Sequence, residues 1–300
     1  MVKKILLFIF NPKAGKEGIH SVLLDIIDIF NKGGYEVLAH ATQYPRDAYE
    51  MAKEYESKVD LVVCCGGDGT LDEVVTGLME KDSHVPLGYI PGGSTNDFAN
   101  SLFIPKNMVE AAHNIMEEEV YRCDIGRFNR QTFAYIAAFG LFTDVSYQTD
   151  QGLKNVLGHA AYLLEGFRRL FDITYYHMKV ESEELNVEED FIYGMVTNSR
   201  SVGGFKNLTG RHVDMNDGLF EVTLIKMPKT PAELQEILRC LVSGEDDTDL
   251  IYSFKSRKLT ITSEGEVPWT LDGEYGGSHT EVEIENHHQA LNLYLKSTKK

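Results

Sequence analysis

Positive charge is scarce in this sequence. Its 29 lysines and arginines face 46 aspartates and glutamates, for a net charge of −17 and a pI near 5.0. Such a chain lacks the basic surface that displaces counterions from DNA or RNA, so no nucleic-acid partner is expected. Paired cysteines are also missing. Cys64, Cys65, Cys123 and Cys240 form no C-x-x-C pair and two are adjacent in a strand-like run, which predicts free buried thiols in a reducing cytoplasm. Long apolar runs are absent as well. Phe133 to Phe142 is about half of the roughly 20 residues that span a bilayer. The run Ile5 to Phe10, stopped by Asn11-Pro12, is too short for a signal-peptide core and reads as a first buried strand. No internal repeat, low-complexity tract or Gly/Ser linker interrupts the chain, so two domains that share an interface and a cleft are expected.

What is present is a core. Three hundred residues at 43% hydrophobic content suffice for two domains. Through residue 125 strand-like and helical stretches alternate: "KKILLFIF" with "IHSVLLDIIDIFNKGG", "YEVLAHAT" with "RDAYEMAKEYES", "VDLVVCC" with "LDEVVTGLMEK", "PLGYIP" with "TNDFANSL". This pattern predicts an α/β domain over 1–125, a parallel sheet with helices on both faces. From 126 to 300 strands dominate, from "TFAYIAAF" through "YYHMKVES", "FIYGMVTN", "GLFEVTLIKM", "RKLTITSE" and "TEVEIEN" to "ALNLYLK". That half reads as a β-rich antiparallel sandwich, interrupted by helices near 153–172 and 231–243, with its last residues able to return to the first domain.

Ligands of open α/β sheets bind beyond the carboxyl ends of the strands, and three of those ends carry unusual loops: "NPKAGK", "GGDGT" and "PGGSTND". The first is no Walker loop, because no glycine stands five residues before Gly15 and Glu17 follows Lys16. The second is no dinucleotide fingerprint, because Asp72 stands where the third glycine belongs. Glycines still admit a phosphate close to the backbone, and the helix start behind them offers unpaired N–H groups. Asn11, Lys13 and Lys16 can bind phosphate oxygens, and Ser94, Thr95 and Asn96 offer hydrogen bonds. The acid Asp68 within a phosphate cradle would repel its ligand unless a cation intervenes. With Asp97 and Asp124 it is expected to surround Mg²⁺ on a polyphosphate, although Asp68 as a helix cap is the plain structural reading.

Together "NPKAGK", "GGDGT" and "PGGSTNDFA" resemble the catalytic domain of the diacylglycerol kinase and sphingosine kinase superfamily, above all its soluble bacterial lipid kinases, over nearly the whole chain. "GGDGT" alone also occurs in NAD kinases. The resemblance implies an ATP- and Mg²⁺-dependent lipid kinase with a nucleotide site at Asn11, Pro12, Lys13, Ala14, Gly15, Thr42, Gly66, Gly67, Asp68, Gly69, Thr70, Leu71, Asp72, Gly92, Gly93, Thr95 and Asn96. It identifies "LDGE" as the source of the catalytic base, Asp272 or Glu274, where the local reading is an Asp-Gly hairpin turn. It assigns a second, structural Mg²⁺ to Asp214, Asp217 and the Leu219 carbonyl. Two positions depart from the common pattern, Ala14 where Ser is frequent and Ser94 where Thr is. The implied acceptor is a lipid such as diacylglycerol, met by a cytoplasmic protein, possible as a homodimer, that touches the inner face of the membrane transiently. An NAD kinase-like enzyme with a soluble acceptor, or a nucleotide-binding regulator without activity, are the alternatives.

Other features are read as structural. The ten histidines show no zinc spacing. The apolar stripe of the 153–172 helix, flanked by Lys154, Arg168 and Arg169, could lie on a membrane surface but more often covers a core. The acidic run "ESEELNVEED" reads as a solvated loop between strands.

Overall fold

The structure is a computed structural model that describes residues 3–15, 18–81, 83–141, 174–200, 213–243 and 248–296. Lys16 and the expected helix at 153–172, with its stripe, lie outside the described residues. The chain divides into two compact units, one of residues 1–125 and 287–300, the other of residues 126–286.

In the first unit, strands β1 (Lys4–Phe10), β2 (Tyr35–Ala41), β3 (Leu61–Gly66) and β4 (Leu87–Pro91) pair in parallel in the order β2-β1-β3-β4. Leu6 to Ile9 and Leu61 to Cys65 are buried throughout, as unbroken apolar runs require when no strand face meets water. Helix α1 (Ile19–Lys32) turns Ile19, Ile26 and Phe30 inward, and Phe30 meets Phe8 edge to face at 5.5 Å. Helices α2 (Asp47–Tyr55) and α3 (Asp68–Met79) pack on each other, while α1 packs on α5 (Met108–Ile115). Between them α4 (Asp97–Ser101) is a short turn of helix.

Helix α5 was not read from the sequence pattern, yet its start carries a local signal. The Asn107 side chain accepts from the N–H groups of Val109 and Glu110, the cap that satisfies a helix's first orphan donors.

The second unit is antiparallel. Strand β7 (Ile136–Gly140) pairs with β9 (Asn186–Thr197) and β12 (Lys258–Leu271), and β9 continues through β10 (Phe220–Lys226) to β11 (Ile251–Ser256). Strand β8 (Tyr176–Ser182) pairs with both β9 and β12. Helix α6 (Pro231–Ser243) follows β10. Trp269 centres the core, its ring 5.0 Å from Phe128 and 4.8 Å from Phe139. The acidic run is not a loop, because Asn186 to Asp190 lie in β9 against β8 and only residues 183–185 turn. "TFAYIAAF" is divided between β6 (Gln131–Phe133) and β7, and the last two expected strands form one, β13 (Glu274–Tyr294).

Strand β13 serves both units. Its first part pairs antiparallel with β12 as far as Glu285, and near its end Leu293 sits parallel beside Leu87 of β4. Strand β5 (Val120–Phe128) also pairs with β13. Among the described residues no helix is long and apolar enough to cross a membrane.

Candidate active site

The three glycine-bearing loops close on one another at the carboxyl ends of β1, β3 and β4. The Asn11 N–H donates to the Cys65 carbonyl at 2.9 Å and the Gly92 N–H to the Gly66 carbonyl at 2.7 Å, so each loop is tied to the central strand. Within the first loop, Asn11 Oδ1 accepts the Lys13 N–H at 2.9 Å and Nδ2 reaches Thr70 Oγ1 at 3.4 Å. The fit leaves no room for side chains. Gly15 has φ +56°, and a Cβ there would lie 2.4 Å from the Gly92 carbonyl oxygen; a Cβ on Gly93 would lie 2.6 Å from Gly67 Cα. Only glycine meets both demands at Gly15.

These loops and the end of β2 line a cavity of about 570 Å³. Asn11 to Gly15, Thr42, Gly67, Gly69, Thr70 and Gly93 of the expected nucleotide residues face it. Sequence reasoning missed Gln43, Tyr44, Pro45 and Glu73, which complete the wall. Their signal was adjacency, since Gln43 to Pro45 directly follow Thr42 and Glu73 lies one residue beyond Asp72. Glu73 also accepts the N–H groups of Arg46 and Ala48 at 2.8 and 3.1 Å, which fixes the start of α2.

Asp68 opens α3, after Gly67 in extended conformation and without a side-chain cap on that helix. Its carboxylate reaches across to the third loop instead, accepting the Asp97 N–H at 3.1 Å and the Phe98 N–H at 3.4 Å. The cap reading is therefore right in kind but belongs to α4. Asn96 adopts φ +54° and closes the loop on itself, its Oδ1 accepting the Gly93 N–H at 2.9 Å and its Nδ2 donating to the Gly93 carbonyl at 2.7 Å. Asn100 Nδ2 holds the Thr95 carbonyl at 2.9 Å. Beneath, the Tyr89 hydroxyl lies 3.2 Å from the Gly66 carbonyl. Burial, reinforced by the charge of Asp68, pushes that phenol well above its ordinary range and keeps it a donor.

The three expected magnesium carboxylates do not gather. Asp97 is buried and linked to Asp68 through its backbone N–H, but Asp124, also buried, turns to the returning strand, where its Oδ1 accepts the Gln289 N–H at 2.7 Å and lies 3.0 Å from His288 Nδ1. Among the described residues no three His, Cys, Asp or Glu side chains converge as a metal centre. Mg²⁺ needs only one or two carboxylates when phosphates supply the remaining oxygens, so Asp68 with Asp97 fits an ion carried in by a nucleotide. The second set does not fit as arranged. Asp214 is exposed, and beside Asp217, whose Oδ1 accepts the Leu219 N–H at 3.0 Å, the place a cation would take at Oδ2 is held by the Lys255 ammonium at 2.8 Å.

In the second unit "LDGE" is a hairpin turn between β12 and β13. Asp272 and Gly273 have φ +51° and +91°, the pair of positive values that a two-residue type I′ turn requires. The Asp272 side chain folds back beneath the turn. One oxygen accepts the Tyr135 and Ile136 N–H groups, each at 2.9 Å, and the other accepts the Ala134 N–H. Asp272 is 4% exposed, whereas Glu274 stands on the surface.

Comparison with known proteins matches this geometry to one family. A family model, the diacylglycerol kinase catalytic domain, matches residues 5–128. The chain is 35% identical to a diacylglycerol kinase of Bacillus subtilis (strain 168), over 90% of this chain and 89% of the relative. It is 34% identical to one of Staphylococcus epidermidis, over 90% and 85%. A solved diacylglycerol kinase structure from Bacillus anthracis str. Sterne superposes with a TM-score of 0.77 at 25% identity, covering 98% of each chain. Another solved chain from that strain gives 0.82 at 28% identity, covering 98% of this chain and 96% of that one. With relatives of this identity aligned along nearly their full length, the chain belongs to the diacylglycerol kinase family.

Proposed function

We propose that this protein is an ATP- and Mg²⁺-dependent lipid kinase that phosphorylates the free hydroxyl of diacylglycerol to give phosphatidic acid. The observation that carries the reading is the convergence of the Asn11, Gly66 and Gly92 loops on one cavity at the ends of parallel strands, in a chain of this family. Glycines that let the loops pack backbone against backbone beside the cavity, and the helix start behind them, support a phosphate ligand there. The architecture that goes with it is a parallel sheet covered on both faces in the first unit and an antiparallel sandwich in the second.

Bound in this cavity, ATP with Mg²⁺ supplies the γ-phosphoryl group and neutralises its charge. The chain's own residues do the positioning. The backbone N–H groups at the start of α3 and the Asn11 amide bind phosphate oxygens, Asp68 and Asp97 hold the cation side, and Tyr44 with Pro45 gives the base a flat wall. Asp272 or Glu274 takes the proton of the acceptor hydroxyl or orients it for in-line attack. Little covalent work falls to the protein, because orientation and charge placement provide most of the acceleration. Peripheral contact with the inner face of the membrane belongs to the same reading, since the acceptor resides there.

The test is transfer of labelled γ-phosphate from ATP, with Mg²⁺, into diacylglycerol in mixed micelles, with NAD as a parallel acceptor. Label in phosphatidic acid that disappears in Asp68→Ala supports the reading. Label in NADP supports an enzyme with a soluble acceptor, and binding of ATP without any transfer supports a regulator.

A further inference from the structure

At the turn before β10 the resemblance implies a metal, and a lysine already stands against the expected ligand Asp217. Asp217 closes an Asx turn, its Oδ1 accepting the Leu219 N–H across Gly218, which has φ +82°. The Val213 carbonyl accepts from Arg200 Nε at 2.9 Å, and Val213 and Met215 are buried. The turn is thus shaped by its own chain before any ion is considered.

One cation of the chain itself serves two carboxylates at this corner, and the oxygens of the more buried one, Glu221, have no hydrogen-bond partner among the described residues. Glu221 and Lys255 face each other in register on β10 and β11. The Lys255 ammonium lies 3.1 Å from Glu221 Oε1 and 2.8 Å from Asp217 Oδ2, bridging two carboxylates of which Glu221 is only 8% exposed. A buried carboxylate deprived of its cation is strongly destabilising, so an ion entering at Asp217 would have to displace the lysine and compensate Glu221 as well. Hard divalent cations ask for six or more oxygens, and at Asp217 Oδ2 the ammonium already stands where such an ion would bind.

We infer that Lys255 is the resident cation of this turn, and that its ammonium holds Asp217 and Glu221 in place of the divalent ion implied by the resemblance. Lys255 acts here as a positioning residue for the 213–221 segment. The inference does not depend on the kinase reading, because its test contains neither nucleotide nor lipid.

The test is thermal unfolding of the full chain in EDTA and in millimolar MgCl₂ or CaCl₂, for the wild type, Lys255→Met and Asp217→Asn. The expected wild-type response contains no part that Asp217→Asn removes. Lys255→Met is expected to lower Tm in EDTA by several degrees, on the order of 2–4 °C for each kcal/mol lost in a chain of this size, and to gain a rise with Mg²⁺ or Ca²⁺. A wild-type rise with either metal that Asp217→Asn abolishes would overturn the inference, as would a Lys255→Met protein with wild-type Tm in EDTA. Should Lys255→Met not fold, Lys255→Met with Glu221→Gln removes both charges and is expected to fold without metal. A double variant that folds only with added Mg²⁺ or Ca²⁺ contradicts the inference.

Discussion

The Asp68 carboxylate lies 3.1 Å from the backbone N–H of Asp97, which makes one acid both a member of the glycine cradle and the cap of the neighbouring loop's helix. Asp68→Ala is expected to lose about 100-fold or more in kcat, the scale of removing one group aimed at developing charge. The lost cap should cost about 1 kcal/mol. Kinetics and urea unfolding on the same preparation separate the two effects, and a variant with lowered stability but full turnover would assign Asp68 to structure alone.

Gly93→Ala tests the closeness of the loops. The added methyl would meet Gly67 Cα at 2.6 Å, a backbone atom that cannot swing aside. The third loop must then move off the second. The KM for ATP should rise about tenfold, equivalent to about 1.4 kcal/mol, with a smaller change in the KM for lipid. An unchanged ATP KM would place the phosphates elsewhere.

Asp272 and Glu274 should separate by stability. Asp272→Asn points an amide donor at N–H groups that now donate to a carboxylate, which should cost about 1–3 kcal/mol as well as activity. Glu274→Gln, on the surface, should leave Tm unchanged. A fall in kcat in Glu274→Gln at constant Tm assigns the proton transfer to Glu274, while full activity there leaves it to Asp272.

Acid stability should depend in part on Glu118. The Tyr35 hydroxyl at 2.6 Å, then Lys4 at 3.0 Å, hold its carboxyl below the ordinary 4.5. A depressed carboxyl contributes stability that is present above its unfolded pKa and lost as pH falls through its folded one. The side chain is 36% exposed, so solvent screening limits the contribution to below about 1 kcal/mol. Urea unfolding at pH 7 and pH 3.5 should show a smaller difference for Glu118→Gln than for the wild type.

The thiols should be inert in the folded protein. All four cysteines are buried, and burial pushes Cys65 up to about 12 and raises Cys64 and Cys123 as well. Thiolate is the reactive form. A thiol-specific colorimetric reagent should react slowly with native protein and titrate four groups in guanidinium; rapid native reaction would show that an element carrying a buried cysteine opens.

Local chemistry was legible in the sequence, and distant pairing was not. The buried parallel strands announce themselves as unbroken apolar runs, and the glycine loops as residues that packing alone would not choose. The type I′ turn at Asp272-Gly273 was readable from the dipeptide, yet the capture of its carboxylate by residues 134–136 was not, because those N–H groups lie more than 130 residues earlier in the chain. Asp124 was assigned to a cation because its partners, His288 and Gln289, are brought to it only by the return of β13. Lys255 carried no signal, because β11 itself was not read from the sequence and only the β10–β11 register sets the lysine against Glu221.

Strand β13 also sets an order of assembly. The ribosome releases residues 1–125 first, but the segment that lies beside Leu87 and supplies the partners of Asp124 follows only after residues 126–286 have been made. At about 5–20 residues per second that interval is roughly 10–30 s. Through it the nascent first unit carries β4 with its outer edge unpaired, the condition under which strands recruit foreign partners. The pace of translation through the second unit therefore governs how long the first stays exposed, and slow codons within 126–286 should raise the demand for chaperones on a part of the chain already synthesised.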